Sequence, residues 1–210
     1  MQISRLQYIT NYQSETSHLN QVKEVVKAGI KWIQFRPKES DKATILNEGN
    51  KIAEFCKQHS VVFIMNDSVD FAVKLNADGV HLGKNDMSPK EARKILGDNK
   101  IIGGTSNTAV DIVDLINQGV NYVGLGPFKF TKTKKNLSPV LGINGYNQII
   151  DALKEKGCNI PVIAIGGIKE EDIIPLQNTG IHGVAISSLI SEAESISPKT
   201  KEILNLINSF

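Results

Sequence analysis

An alternation restricts this chain more than anything else in it. A short apolar run of strand length is followed by a segment with helical spacing, and the pair recurs eight times. The runs are Leu6–Thr10, Ile30–Phe35, Val61–Met65, Asp78–Leu82, one from Ile101-Ile102 to Gly103-Gly104-Thr105, then Tyr122–Leu125, Val162–Ile165 and Ile181–Ile186. Helical spacing follows each: Leu19 to Val26 before Gly29, Lys42 to Gln58, Val69 to Leu75, and Ser88-Pro89 to Gly97. The later helices are expected over Thr108 to Gln118, Tyr146–Lys156, Glu170–Asn178 (with a kink at Pro175) and Lys199 to Asn208. A strand–helix–strand unit joins parallel neighbours. Eight of them in strict order predict an α/β protein, a single-domain (β/α)8 TIM barrel over residues 1–210. A doubly wound open sheet obeys the same alternation, since alternation does not show closure.

Composition agrees with one domain: 210 residues, 40% apolar and 22% charged. A formal net charge of +2 gives no reason to expect nucleic acid. Cys56 and Cys158 lack ligand-like spacing and read as free thiols in a reducing compartment. The start, MQISRLQYIT, has no apolar core of a signal peptide, and no stretch approaches the roughly 18 apolar residues of a membrane span. The expectation is a cytoplasmic protein with no membrane partner; a homodimer is compatible with the sequence.

In parallel α/β folds ligands sit beyond the C-terminal ends of the strands, so those ends form one surface. Asp67 follows the third run and Asp86 the fourth. Either suits a turn or a helix cap, but at matched positions on adjacent strands the pair fits a hard cation such as Mg2+, with Asn66 beside it. After the second run, Gln34, Arg36 and Lys38 stand two apart, a row for a polyanion while the chain stays extended. The connection from Gly126 to about Asn144 carries Lys129, Lys132, Lys134 and Lys135 with Thr131 and Thr133, and reads as a lid over a phosphorylated substrate. Phe128 and Phe130 alone are too few aromatics for a nucleic-acid groove. Gly166-Gly167 and Ser187-Ser188 follow the seventh and eighth runs, the recurrent phosphate site of barrels. Two anionic groups are therefore expected: a diphosphate near strands two to four and a monophosphate near strands seven and eight. His18 and His59 fall on expected surfaces, His182 at the opposite rim, and His81 reads equally as a core histidine or a site residue.

The motifs IQFRPK, FIMND, ADGVHLGKNDM, VGLGPFKFTKTKK, IAIGGI and GVAISS resemble, in order and spacing, those of the thiamine phosphate synthase family, from about Leu6 to Ile190. The resemblance implies a Mg2+-dependent (β/α)8 enzyme. It would join a hydroxymethylpyrimidine diphosphate to a thiazole phosphate, through a carbocation-like pyrimidine that the thiazole nitrogen captures. It further implies Asp67 and Asp86 as metal ligands, and Gln34, Arg36, Lys38, Asn66, Thr105 and Lys134 on the pyrimidine diphosphate, with Arg36, Thr105 and Lys134 catalytic. Thr131, Thr133, Gly166, Gly167, Ser187 and Ser188 would address the thiazole phosphate. Three residues depart from the family's usual pattern: Pro37 replaces an acid, Thr105 a serine and Asn107 a frequent histidine. A related thiazole tautomerase uses a histidine where Pro127 stands here, and a non-catalytic phosphate-binding regulator would have lost its metal ligands.

Overall fold

The structure, a computed structural model describing residues 3–131 and 138–208, closes the alternation into a barrel. In chain order it runs β1 (Leu6–Ile9), α1 (His18–Lys27), β2 (Trp32–Phe35), α2 (Lys42–Gln58), β3 (Val62–Asn66), α3 (Val69–Lys74), β4 (Gly79–Leu82) and α4 (Pro89–Leu96). It continues through β5 (Ile101–Ser106), α5 (Ala109–Asn117), β6 (Tyr122–Leu125), α6 (Gly142–Glu155), β7 (Val162–Ile165) and a single 3-10 turn (Glu170–Asp172) into α7 (Ile173–Asn178). The last elements are β8 (Gly183–Ile186), α8 (Ser188–Ser191) and α9 (Ile196–Asn208). Every strand pairs in parallel with its neighbours, and β1 pairs with β8 as well as β2, with Leu6 opposite Val184 and Tyr8 opposite Ile33. That pairing excludes the open sheet.

Alternation along each strand divides the core in two. Outward residues such as Tyr8, Phe35, Phe63, Leu82, Val123 and Val184 pack under the helices in one large cluster. Inward residues, among them Ile9, Trp32, Ile64, Ile101, Tyr122 and Ile163, fill the barrel itself. Local signals place the helices. Asp41 accepts hydrogen bonds from Ala43 N and Thr44 N at the start of α2, and Ser88–Glu91 and Thr108–Asp111 form capping boxes before α4 and α5.

Several boundaries differ from expectation. α6 begins at Gly142, ahead of Tyr146, because Gly142 N bonds to Phe128 O and Leu141 N to Pro127 O, tying the helix start to the end of the β6 connection. α9 begins at Ile196, since Pro198 lies in the first turn, where its missing N–H sacrifices no helical bond. Pro175 likewise lies in the first turn of α7. The one-turn helix α8 is too short for periodicity to show. His18 is a correction: far from a surface position, it is buried at the start of α1, edge-on to Phe35 with ring centroids 5.2 Å apart. Among the described residues no helix is long and apolar enough to cross a membrane.

Candidate active site

The two aspartates are brought together by tight turns at the ends of β3 and β4. Asp67 follows Asn66 directly, adopts a left-handed φ of 63°, and donates its N–H to His81 O at 2.8 Å. Such a φ is strained for a residue with a Cβ and is held by its surroundings; here Ser68 N bonds back to Asn66 O and the Ser68 side chain caps α3. Asp86 closes a turn on Gly83, whose N–H donates to Asp86 Oδ2 at 2.7 Å. The carboxyl groups of Asp67 and Asp86 lie close enough for each to act on the other's ionisation. Burial opposes the charge on both. On Asp67 the Lys38 ammonium, 2.5 Å from Oδ2, outweighs burial and holds the carboxyl below its usual range. On Asp86, burial joined by the negative charge of Asp67 pushes the carboxyl up, against the Gly83 N–H. Among the described residues no group of three or more His, Cys, Asp or Glu gathers as metal ligands. A pair of hard oxygen donors open to solvent suits Mg2+, which keeps several waters and takes phosphate oxygens as further ligands.

The row Gln34, Arg36, Lys38 does not continue as a strand. β2 ends at Phe35, Arg36 N donates to Thr10 Oγ1 at 2.9 Å, and Lys38 N bonds to Arg36 O at 3.0 Å across Pro37. Pro37 thus helps turn the chain, and Lys38 swings onto Asp67. Gln34 points into the barrel, 2% exposed, and donates to Gln7 Oε1 at 3.1 Å. Arg36 sits between the parts of the site. Burial lowers its affinity for its proton, the charge of Asp67 and the Tyr12 side chain raise it, and the guanidinium lies over the Tyr12 ring at 5.4 Å. Arginine stays charged throughout.

Arg36 and Thr105 also line one cleft with Thr131, Gly166, Gly167, Ser187 and Ser188. Six residues from the strand ends and Thr131 from the connection after β6 therefore meet in a single cavity, with Asn66, Asp67 and Asp86 on the adjoining rim. Thr105 lies within β5, near its end. His81 is a buried barrel-lining residue whose Nε2 lies 3.1 Å from Thr105 Oγ1. Lys129 does not stand free in the Lys-rich connection: its ammonium is 2.6 Å from Asp172 Oδ1. Lys132, Thr133, Lys134 and Lys135 lie outside the described residues. Asn107 is buried and donates to Gly126 O at 2.9 Å and Pro139 O at 3.0 Å, so the residue where the family frequently has histidine clamps both ends of the β6–α6 connection. Tyr12 and Ser138 escaped the reading of strand ends. Only an aromatic residue in the polar segment after β1 hinted at the first.

A closed parallel barrel whose C-terminal rim joins a carboxylate pair and cations to a cleft of glycine, serine and threonine has the architecture of a (β/α)8 enzyme. The family model for thiamine monophosphate synthase matches residues 6–190. A thiamine-phosphate synthase of Flavobacterium psychrophilum is 44% identical over 192 residues, 91% of this chain and 93% of its own. That of Bacteroides fragilis is 45% identical over 201 residues, 96% of this chain and 98% of its own. The solved thiamine phosphate pyrophosphorylase from Pyrococcus furiosus, at 27% identity, matches with a TM-score of 0.86 over 98% of this chain and 96% of that one. The chain belongs to the thiamine monophosphate synthase family and is a transferase.

Proposed function

We propose that this chain is a Mg2+-dependent thiamine phosphate synthase, which couples 4-amino-2-methyl-5-hydroxymethylpyrimidine diphosphate to 4-methyl-5-(2-phosphooxyethyl)thiazole and releases diphosphate. The observation that carries this reading is the junction at Arg36, which borders the Lys38–Asp67–Asp86 cluster on one side and the Gly167–Ser187–Ser188 cleft on the other. One half suits a diphosphate and the other a monophosphate.

Local charge supports the metal. Arg36 and Lys38 balance Asp67 and Asp86, two against two, so an incoming diphosphate finds no net positive charge from these four groups. Mg2+ held by Asp67 and Asp86 would supply the neutralisation that a departing diphosphate needs. Arg36 and Lys38 bind diphosphate oxygens, and Lys134, placed by its motif, adds a further cation. Asn66 and Gln34 orient the pyrimidine, and Thr105 reaches it with its hydroxyl. The carbon–oxygen bond breaks with its electrons leaving on diphosphate, and the thiazole nitrogen lone pair forms the new carbon–nitrogen bond. Backbone amides at Gly166 and Gly167 and hydroxyls of Thr131, Thr133, Ser187 and Ser188 hold the thiazole phosphate, fixing that nitrogen at the carbon it attacks.

Purified protein with both substrates and Mg2+ is expected to form thiamine phosphate, identified by mass, and a chelator is expected to stop it. Asp67→Ala should lower turnover by roughly 10²–10³-fold with the circular dichroism spectrum unchanged. Absence of product, or near-normal turnover in the variant, would refute the assignment.

A further inference from the structure

Five side chains form a hydrogen-bonded chain through the barrel interior beneath the rim. Gln34 Nε2 donates to Gln7 Oε1 at 3.1 Å, and Gln7 Nε2 donates to Tyr122 Oη at 3.3 Å. Tyr122 Oη then lies 3.0 Å from His81 Nδ1, and His81 Nε2 lies 3.1 Å from Thr105 Oγ1. The chain begins and ends at residues assigned to the pyrimidine, while Gln7, Tyr122 and His81 have no role in the site described above. All three are buried. The opposing positions are emptied for them: a Cβ at Gly103 would collide with the Tyr122 ring and hydroxyl, and one at Gly124 would come within 3.0 Å of His81 Cε1.

Counting protons gives this chain a direction. The Gln7 amide nitrogen occupies a lone pair of the Tyr122 oxygen, and burial keeps the phenol protonated by pushing its ionisation up. The phenol oxygen could accept a second hydrogen bond from His81, but its own buried hydrogen would then have no acceptor among the hydrogen bonds of the described residues; donation to a neutral His81 with a bare Nδ1 leaves no such orphan. The imidazole proton therefore sits on Nε2 and is donated to Thr105 Oγ1. With its oxygen already accepting from inside the barrel, Thr105 has its own proton left for the cleft it lines. At the other end, Gln34 gives an amide hydrogen to Gln7 and retains its Oε1 acceptor. The chain thus presents an acceptor at Gln34 and a donor at Thr105. An aminopyrimidine presents the complement, a donating amino group and an accepting ring nitrogen.

We propose that Gln7, Tyr122 and His81 are positioning residues whose hydrogen-bonded chain holds His81 as the Nε2–H tautomer and aims the Thr105 hydroxyl proton at the pyrimidine. The proposal rests on the assignment of Thr105 to the pyrimidine substrate. A buried polar cluster that served stability alone would lower the unfolding midpoint when broken, without choosing between substrates.

The test uses full-length protein labelled with 15N at histidine, with His81 assigned by through-bond correlation, alongside steady-state kinetics for each substrate. In the unmodified protein the spectrum should show the Nε2–H tautomer before any substrate is added. Tyr122→Phe keeps the ring and its packing but removes both bonds; it should mix the His81 tautomers. It should also raise KM for the pyrimidine diphosphate about tenfold, the loss of roughly one aligned hydrogen bond, while KM for the thiazole phosphate stays within about twofold. An Nδ1–H tautomer in the unmodified protein would overturn the direction of the chain. Mixed tautomers with an unchanged pyrimidine KM, where Thr105→Val does raise it, would overturn the positioning role. Unchanged kinetics in Thr105→Val would remove the substrate contact itself and the functional half of the proposal, whatever the spectrum shows.

Discussion

Gly167→Ala separates backbone strain from collision at the proposed phosphate cleft. Gly167 has a φ of 66°, and a Cβ there would lie 2.6 Å from Phe130 O and 2.8 Å from Lys129 O. Both contacts are backbone carbonyls, so no side chain can swing aside. Gly157 has nearly the same φ, 65°, yet its Cβ would meet nothing within 4 Å. Gly157→Ala therefore isolates the left-handed conformation, worth about 1–2 kcal/mol. Gly167→Ala adds displacement of the Lys129–Phe130 backbone, an overpacking cost of about 1–3 kcal/mol, for a total of about 2–5 kcal/mol. Urea titration of the two variants gives the difference directly, provided that m is unchanged. The Lys129–Phe130 segment leads into Thr131, which shares the cleft with Gly167. Its displacement should raise KM for the thiazole phosphate while leaving KM for the pyrimidine diphosphate near normal. Equal destabilisation of the two variants would refute the steric reasoning, and an unchanged thiazole KM in Gly167→Ala would refute the placement of the phosphate.

Asn107→Ala leaves the carbonyls of Gly126 and Pro139 without the amide that joins them, and should lower stability by about 1–3 kcal/mol in urea titration; an unchanged midpoint would show that the clamp carries nothing. Asp111 is held below its usual range: burial opposes its charge, but the Lys84 ammonium at 2.7 Å and the N–H groups of Asn107 and Thr108 prevail. A carboxyl whose folded pKa is depressed adds stability that is full above its unfolded value of 3.8 and is lost as pH falls through the folded value. The gap in urea midpoint between the unmodified protein and Asp111→Asn should accordingly be widest near neutral pH and shrink below about pH 4; a gap that grows in acid would contradict the sign.

Much of the candidate site was legible because strand ends can be read one at a time. Asp67, Asp86, Arg36, Gly167, Ser187 and Ser188 all follow apolar runs, and a parallel fold delivers every such position to the same rim. Side-chain partners were less legible. Lys129 looks like one more cation in KFTKTKK until Asp172, 43 positions away, is seen against it. His18 has a polar neighbourhood in sequence and an aromatic one in space.

What the sequence determines by itself is periodicity: eight strand–helix units, their caps, and the residues at each strand end, all local consequences of side-chain spacing and backbone preference. Closure belongs to the tertiary structure, because Leu6 meets Val184 only once every intervening strand has paired. The polar chain does too. Gln7, Tyr122 and His81 are ordinary strand residues in the sequence, and Gln7 and Tyr122 bond across 115 positions. Their joining follows from which way each alternating side chain faces when the sheet curls shut, and no window of sequence contains that geometry.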